Sequence, residues 1–149
     1  MSRKYRVAII GNTGRGNYGH GLDTVWLGQP NCEIVGVADA DAKGRAAAAK
    51  RLQAPQTFGD YRDLLDRTMP DVVSIAPRWI DQHHEMVLAA AERGIHIYME
   101  KPMCRSPLEA DEMIAACEAN NVKLALAHPT RYSPPFAPST RVDRRRSDR

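Results

Sequence analysis

Residues 5–21 read YRVAIIGNTGRGNYGHG, a short apolar run that stops at a glycine-rich stretch. The run at residues 7–10 is β-branched and short, which predicts a buried strand. Glycines after a strand let the backbone turn tightly and let a phosphate approach main-chain N–H groups. The spacing of Leu22, Val25 and Trp26 predicts a helix next, whose positive N-terminal end would face that phosphate. Residues 5–21 therefore predict a phosphate-binding turn between a strand and a helix.

Short apolar runs alternate with helical patterns as far as residue 127. The predicted strands are residues 5–10, 33–38, 57–58, 72–76, 95–99 and 122–127. Beyond the first predicted helix, three helices are expected to begin at capping residues and a fourth to cover residues 81–93; the caps are Asp41, Asp60 and Ser106. Strands that are apolar on both faces are typical of a parallel sheet covered on both sides. The predicted fold class is α/β: a doubly wound, mostly parallel, six-stranded Rossmann sheet in three layers.

The length of 149 residues indicates one folded domain. We place a dinucleotide-binding domain at residues 1–130 and a Pro- and Arg-rich tail, expected to be disordered, at residues 131–149. Residues 141–149 contain five Arg and two Asp, so they account for the whole formal net charge of +3. The three cysteines form no C-x-x-C pair, which argues against a disulfide framework or a zinc site. Without an apolar stretch near ~20 residues or a signal peptide, we expect a cytoplasmic protein with no membrane partner.

The glycine-rich stretch fits the dinucleotide fingerprint G-x-G-x-x-G in two ways. Starting at Gly11 puts Thr13 at the second glycine position and Gly16 at the third. Starting at Gly14 gives a complete match that ends at Gly19 but begins three residues later. We favour the first alignment, because the turn has to begin where the strand ends. It predicts these cofactor-binding residues: Gly11, Asn12, Thr13, Gly14, Arg15 and Gly16.

A dinucleotide is a better ligand for this turn than a nucleoside triphosphate. A P-loop would need Lys and then Ser or Thr where Asn17 and Tyr18 stand. Asp39 ends the second predicted strand, where a carboxylate accepts the ribose hydroxyls of an adenosine and repels a 2′-phosphate. This favours NAD as the cofactor, with NADP possible because Lys43 and Arg45 lie close by. The alternative is that Asp39 only caps the next helix.

Two further groups of polar residues lie near predicted strand ends. Glu100 and Lys101 follow the fifth strand, where open α/β sheets bind ligands and where a lysine is placed to assist proton transfer. A solvated Glu–Lys pair before a loop is the alternative. His83 and His84 are neighbours in a helical turn and do not share a face, so we expect surface or capping roles and no metal site. His128 follows the last strand.

The segment HEMVLAAAERGIHIYMEKP, residues 84–102, extends this pattern together with VVSIAP before it and the turn GNTGRGNYGHGLD. Over about residues 5–134 the chain resembles the Gfo/Idh/MocA oxidoreductase family. The resemblance implies a Rossmann domain that binds NAD or NADP. In the intact enzymes of this family a larger second domain follows, and hydride passes between nicotinamide and a sugar- or cyclitol-like alcohol.

The resemblance also implies roles for single residues. Lys101 would be the catalytic residue that contacts the substrate hydroxyl, and Pro102 would follow a cis peptide bond. Contacts with the cofactor are implied for Ala76, Pro77, Glu100 and Lys101. Arg78 stands where the family often has Asn. Arg131 and Tyr132 match a segment that borders the substrate cleft.

Nothing in the sequence matches the family's second domain, so the substrate is not predicted. We expect a truncated or frame-shifted product, or a fragment, that binds cofactor but turns over poorly. The alternative function is a non-catalytic nucleotide-binding or interaction module. Nucleic-acid binding through Arg144, Arg145 and Arg146 is a weaker hypothesis, because no aromatic residues interleave with them. We therefore expect no specific nucleic-acid partner, and the sequence leaves the oligomeric state open.

Overall fold

The computed structural model describes residues 3–129, whose six strands form one sheet. The strands are β1 Tyr5–Ile10, β2 Cys32–Ala38, β3 Thr57–Phe58, β4 Val72–Ile75, β5 His96–Met99 and β6 Leu124–Leu126. Their spatial order is β3-β2-β1-β4-β5-β6, and every neighbouring pair is parallel. This is the strand order of the doubly wound dinucleotide fold, so the predicted fold class is confirmed.

Strand β1 lies at the centre of the sheet between β2 and β4. Val7 and Ile9 have no exposed surface and enter an apolar cluster on one face. Ala8 and Ile10, at most 1% exposed, enter a second cluster on the other face. Because successive side chains of a strand point to opposite faces, burial on both faces requires the uninterrupted apolar run seen in the sequence.

Four helices connect the strands: α1 Ala42–Leu52, α2 Tyr61–Thr68, α3 His83–Ala91 and α4 Pro107–Ala119. The caps predicted for α1, α2 and α4 are confirmed at Asp41, Asp60 and Ser106. Their side chains accept hydrogen bonds from backbone N–H groups two or three residues later, at 2.6, 2.7 and 3.2 Å. A cap of this kind contributes about 0.5–2 kcal/mol to helix stability. A short 3-10 turn, Ile80–Gln82, precedes α3.

The helix predicted directly after the glycine-rich turn is wrong. Residues 13–24 form turns interrupted by the isolated bridge of Asn17 with Asn12, and a 3-10 turn, Val25–Gly28, follows them directly. The reason is in the backbone angles, since five residues of this segment have positive φ: Gly14, Gly16, Asn17, Gly19 and Gly21. A right-handed helix cannot include left-handed residues, so no α-helix begins directly after the turn in the part of the chain that the structure describes.

Residues 131–149, with Arg131 and Tyr132, lie outside the described residues. Within residues 3–129, no helix is long and apolar enough to cross a membrane.

Leu64→Ala should show how tightly α2 packs on the sheet. Leu64 has no exposed surface, and a Cβ added at Gly36 of β2 would lie 2.7 Å from its Cδ1 atom. We expect urea denaturation to show a loss of about 2–5 kcal/mol in the free energy of unfolding. Leu108→Ala is the control, because Leu108 is 67% exposed and its loss should cost less than about 0.5 kcal/mol. Equal losses for the two variants would contradict this packing.

Candidate functional site

Four loops meet at one edge of the sheet, because all strands are parallel and their carboxyl ends lie together. The loop after β1 begins at Gly11, and the loop after β2 begins at Asp39. Pro77 lies after β4, and Glu100 follows β5. Strand β1 leads to β2 on one side while β4 leads to β5 on the other, so the switch point lies between β1 and β4. Doubly wound sheets bind their ligands at this point.

The glycine-rich turn, residues 11–17, is closed by its own hydrogen bonds. Asn12 and Asn17 exchange two backbone N–H···O bonds of 3.0 Å. The Gly14 N–H donates to the side-chain oxygen of Asn17 at 3.0 Å. Within residues 3–129, six of the seven backbone N–H groups in the turn have an acceptor, and that of Gly16 has none. In this conformation the turn therefore offers a phosphate few free main-chain donors.

Asp39 is 2% exposed, and donors from the turn surround its carboxylate. It accepts from the Thr13 N–H at 3.1 and 3.2 Å and from the Thr13 hydroxyl at 2.6 Å. The Tyr18 hydroxyl and the Asp41 N–H donate at 2.9 and 3.0 Å. These donors fill the roughly four acceptor sites of a carboxylate.

The hydroxyl of Tyr18 remains a donor at physiological pH. Burial, and then its hydrogen bond to Asp39, raise the pKa of this hydroxyl well above its ordinary value. For Asp39 to accept a ribose hydroxyl, one of its present donors has to withdraw. The ribose contact of Asp39 stays a prediction.

Glu100 has no exposed surface, and its carboxylate joins the loop after β5 to the glycine-rich segment. Its Oε2 accepts from the backbone N–H of His20 at 2.9 Å, and its Oε1 lies 3.0 Å from His20 Nδ1. The backbone N–H of Lys101 donates to Oε1 at 3.2 Å. A Cβ on Gly19 would overlap Oε2, so the close approach of Glu100 to the backbone at position 19 requires a glycine. No sequence motif marks His20, which reaches the site only through the fold.

Lys101 lies exposed beside this buried carboxylate. Among the ion pairs of residues 3–129, none includes the Lys101 ammonium. The Lys101–Pro102 peptide bond is cis, as the resemblance implies. The alternative of a solvated Glu–Lys pair is wrong for Glu100, whose carboxylate is turned inward to His20.

The surface or capping role expected for His83 is wrong. His83 has no exposed surface; its Nε2 lies 2.7 Å from the carbonyl oxygen of Pro77 and its Nδ1 lies 2.9 Å from that of Pro102. The imidazole thus connects the loop after β4 to the loop that carries Lys101. His83 precedes the buried Met86 by three residues, and this helical spacing was the available sign of its burial.

Two arginines flank the turn on the side of β4. The guanidinium of Arg15 is paired with Asp81 and lies 4.7 Å from the centre of the Trp79 ring. Arg78 is exposed, and its Nε donates to the carbonyl oxygen of Gly16 at 3.3 Å. Arg15, Arg78 and Trp79 line a depression of about 220 Å³ that reaches Pro102.

A second cavity of about 160 Å³ lies beyond the ends of β1, β2 and β3. Its lining includes Gly11, Asp39, Asp60, Arg62 and Gln82. In the part of the chain that the structure describes, no cluster of three or more His, Cys, Asp or Glu residues is arranged to hold a metal ion. The edge of the sheet therefore has an opening at each side of the turn, lined by polar and charged groups.

Comparison with known proteins gives a consistent result. The family model for Gfo/Idh/MocA, described as an oxidoreductase family with an NAD-binding Rossmann fold, matches residues 5–128. The D-xylose 1-dehydrogenase (NADP(+)) 2 of Haloferax volcanii is 34% identical over 102 residues, 68% of this chain and 31% of that protein. The scyllo-inositol 2-dehydrogenase (NAD(+)) of Bacillus subtilis is 28% identical over 143 residues, 95% of this chain and 40% of that protein.

Solved structures agree with the fold. An NAD-binding oxidoreductase from Klebsiella pneumoniae has a TM-score of 0.71 at 27% identity, covering 89% of this chain and 36% of that one. The myo-inositol 2-dehydrogenase of Lactobacillus plantarum has a TM-score of 0.76 at 24% identity, covering 89% and 38%. The chain thus spans between about a third and two fifths of the length of these relatives.

Gly19→Ala and Gly14→Ala form a matched pair that tests the contact with Glu100. Both glycines have positive φ, +65° and +84°, so alanine at either position costs about 1–2 kcal/mol of backbone strain. Only at Gly19 would the new Cβ overlap other atoms, whereas at Gly14 nothing lies within 4 Å. We expect Gly19→Ala to lower the free energy of unfolding by about 1–3 kcal/mol more than Gly14→Ala does. If denaturation shows equal losses, the buried carboxylate of Glu100 does not lie against Gly19.

Proposed function

The chain belongs to the Gfo/Idh/MocA oxidoreductase family as its NAD(P)-binding Rossmann domain, and we propose that the four loops at the carboxyl edge are its cofactor site. The observation that carries the proposal is the pairing of Glu100 with His20. Through this contact the glycine-rich segment and the exposed Lys101 are held as one unit. A cofactor that lies along the turn would reach the lysine at its far end.

The residues present fit a dinucleotide at both ends. The cavity at the ends of β1, β2 and β3 suits the adenosine half, with Asp39 and Asp60 in its wall. At the other end, Ala76 and Pro77 after β4 lie beside the loop of Glu100 and Lys101 in the sheet order. The turn, from Gly11 to Gly16, lies between these two ends, where the pyrophosphate would bind under this proposal.

The proposed reaction is hydride transfer between a secondary alcohol and the nicotinamide ring. When bound, the nicotinamide supplies the carbon that accepts or returns the hydride. The exposed ammonium of Lys101 would contact the substrate hydroxyl and assist movement of its proton. Glu100 and His83 would hold the Lys101–Pro102 segment in place from beneath, through their contacts with Lys101 N and Pro102 O.

The proposed substrate class is a sugar or cyclitol, because the named relatives oxidise D-xylose and inositols. Since the chain spans well under two thirds of those relatives, the substrate and the activity of the whole protein are part of the proposal. The non-catalytic nucleotide-binding module remains the rival function. The rival function has the same cofactor site, but it includes no reaction and therefore assigns no role to Lys101.

The direct test of the cofactor site is calorimetry of this chain with NAD, NADP and adenosine. We expect saturable binding of NAD or NADP and weaker binding of adenosine, which fills only one half of the site. Lys123→Ala serves as the control: it should leave NAD affinity unchanged, because Lys123 is exposed just before β6, at the amino edge of the sheet and away from the four loops. Absence of saturable heat up to millimolar NAD and NADP would end the proposal.

Asp39→Asn tests the preference for NAD. The carboxylate at the end of β2 would repel a 2′-phosphate, whereas Arg45, whose Nη1 donates to the carbonyl oxygen of Asp39 at 2.5 Å, would attract one. Two unit charges about 4 Å apart repel by about 1 kcal/mol even in water, so the ratio of NADP to NAD affinity should rise about fivefold. A general distortion of the turn would weaken NAD and NADP equally, so the ratio of the two affinities would not change. An unchanged ratio would mean that Asp39 only organises the turn.

A further inference from the structure

The glycine-rich turn lacks two of the usual means of binding a pyrophosphate. Among the described residues no α-helix begins directly after it, and six of its seven backbone N–H groups already have acceptors. We propose that the guanidinium of Arg78 binds the pyrophosphate of the dinucleotide and supplies the positive charge that a helix N-terminus would otherwise provide. This inference rests on the proposed cofactor site.

The backbone holds Arg78 directly against the turn. A Cβ added at Gly16 would lie 2.4 Å from the Arg78 backbone nitrogen and 2.7 Å from its Cβ. The Nε–H of Arg78 donates to the carbonyl oxygen of Gly16 at 3.3 Å, which aligns the guanidinium along the turn. Gly16 is also the residue of the turn whose own N–H has no acceptor among the described residues. One free main-chain donor and one guanidinium therefore lie together at the switch point between β1 and β4.

Arg15, in the turn, and Arg78, beside it, both place a guanidinium here, but only that of Arg78 is free among the described residues to pair with a phosphate. Arg15 is already paired with Asp81 and packs on Trp79. No ion pair within residues 3–129 includes Arg78, and its two terminal nitrogens have no hydrogen bond there. The planar fork of a guanidinium matches two phosphate oxygens at once, which makes an unpaired arginine well suited to this role.

An anionic group of a substrate has the same chemistry as a pyrophosphate, and the depression beside Arg78 extends to Pro102, next to Lys101. The position of Arg78 against Gly16 favours the pyrophosphate, because Gly16 belongs to the predicted fingerprint. Ligands with and without a pyrophosphate separate the two sources, since ADP-ribose contains the pyrophosphate and adenosine does not.

The experiment measures the affinities of NAD, ADP-ribose and adenosine for the chain and for Arg78→Ala by calorimetry at low and high salt. We expect Arg78→Ala to weaken NAD and ADP-ribose by about tenfold or more, as expected for a lost charge-assisted hydrogen-bond pair, and to leave adenosine unchanged. The difference between the variants should shrink at high salt, because salt screens an exposed charge. Arg78→Lys should recover part of the affinity, since it keeps the charge without the fork.

Lys123→Ala is the matched control. It removes one exposed positive charge just before β6, at the amino edge of the sheet, and should bind all three ligands like the unmodified chain. If Arg78→Ala fails to fold, Arg78→Lys and Arg78→Gln replace it, with Gln expected to be the weaker binder of NAD.

Three results overturn the inference, and each is distinct from failure of the cofactor site. Unchanged affinities for NAD and ADP-ribose in Arg78→Ala would mean that the Arg78 guanidinium does not bind the pyrophosphate and is free for another anion, such as one on the substrate. An equal loss for adenosine would mean that Arg78 only supports the fold. A loss of the same size in Lys123→Ala would mean that net charge alone is responsible. If the unmodified chain binds none of the ligands, it is the proposed cofactor site that fails.

Discussion

The shape of the glycine-rich turn depends on the buried carboxylate of Asp39. Thr13 and Tyr18 approach it from the turn, and Asp41 approaches it from the start of α1. A buried carboxylate that loses its partners costs several kcal/mol, so the turn stays folded over Asp39 unless a ligand replaces those donors. Glu100 fastens the far end of the same segment at His20. Two carboxylates, after β2 and after β5, thus hold residues 13–20 against the edge of the sheet.

The arrangement of strands and most helices follows from local signals. Apolar runs located the strands because β1 and its neighbours are buried on both faces, and Asp41, Asp60 and Ser106 were recognisable because a cap involves only its own few residues. The prediction of a helix after the glycine-rich turn was wrong for a physical reason. The spacing of Leu22, Val25 and Trp26 reports which side chains are oriented inward, but the positive φ angles of the nearby glycines decide the backbone.

Sequence order also placed Asp39, Pro77, Glu100 and Lys101 at one edge, since residues that follow parallel strands share it. What these residues touch was not predictable. His20 and Glu100 are 80 residues apart, and nothing local to either indicates their contact. The same holds for His83, which joins two loops through carbonyl oxygens. The sequence predicted a phosphate-binding turn at a helix N-terminus. The structure instead has a turn that buried carboxylates hold in place, with two arginine side chains next to it.

The central claim is that the dinucleotide lies along the glycine-rich turn, from the end of β2 to Lys101. Its most direct measurement is an amide-resolved NMR titration of the chain with NAD. We predict that the largest shifts fall on the amides of residues 11–20, Asp39 and Lys101, while those of α4 around Ile114 and Cys117 stay in place. Shifts confined to α4 and to β6, the edge strand beyond β5, would contradict this position of the dinucleotide.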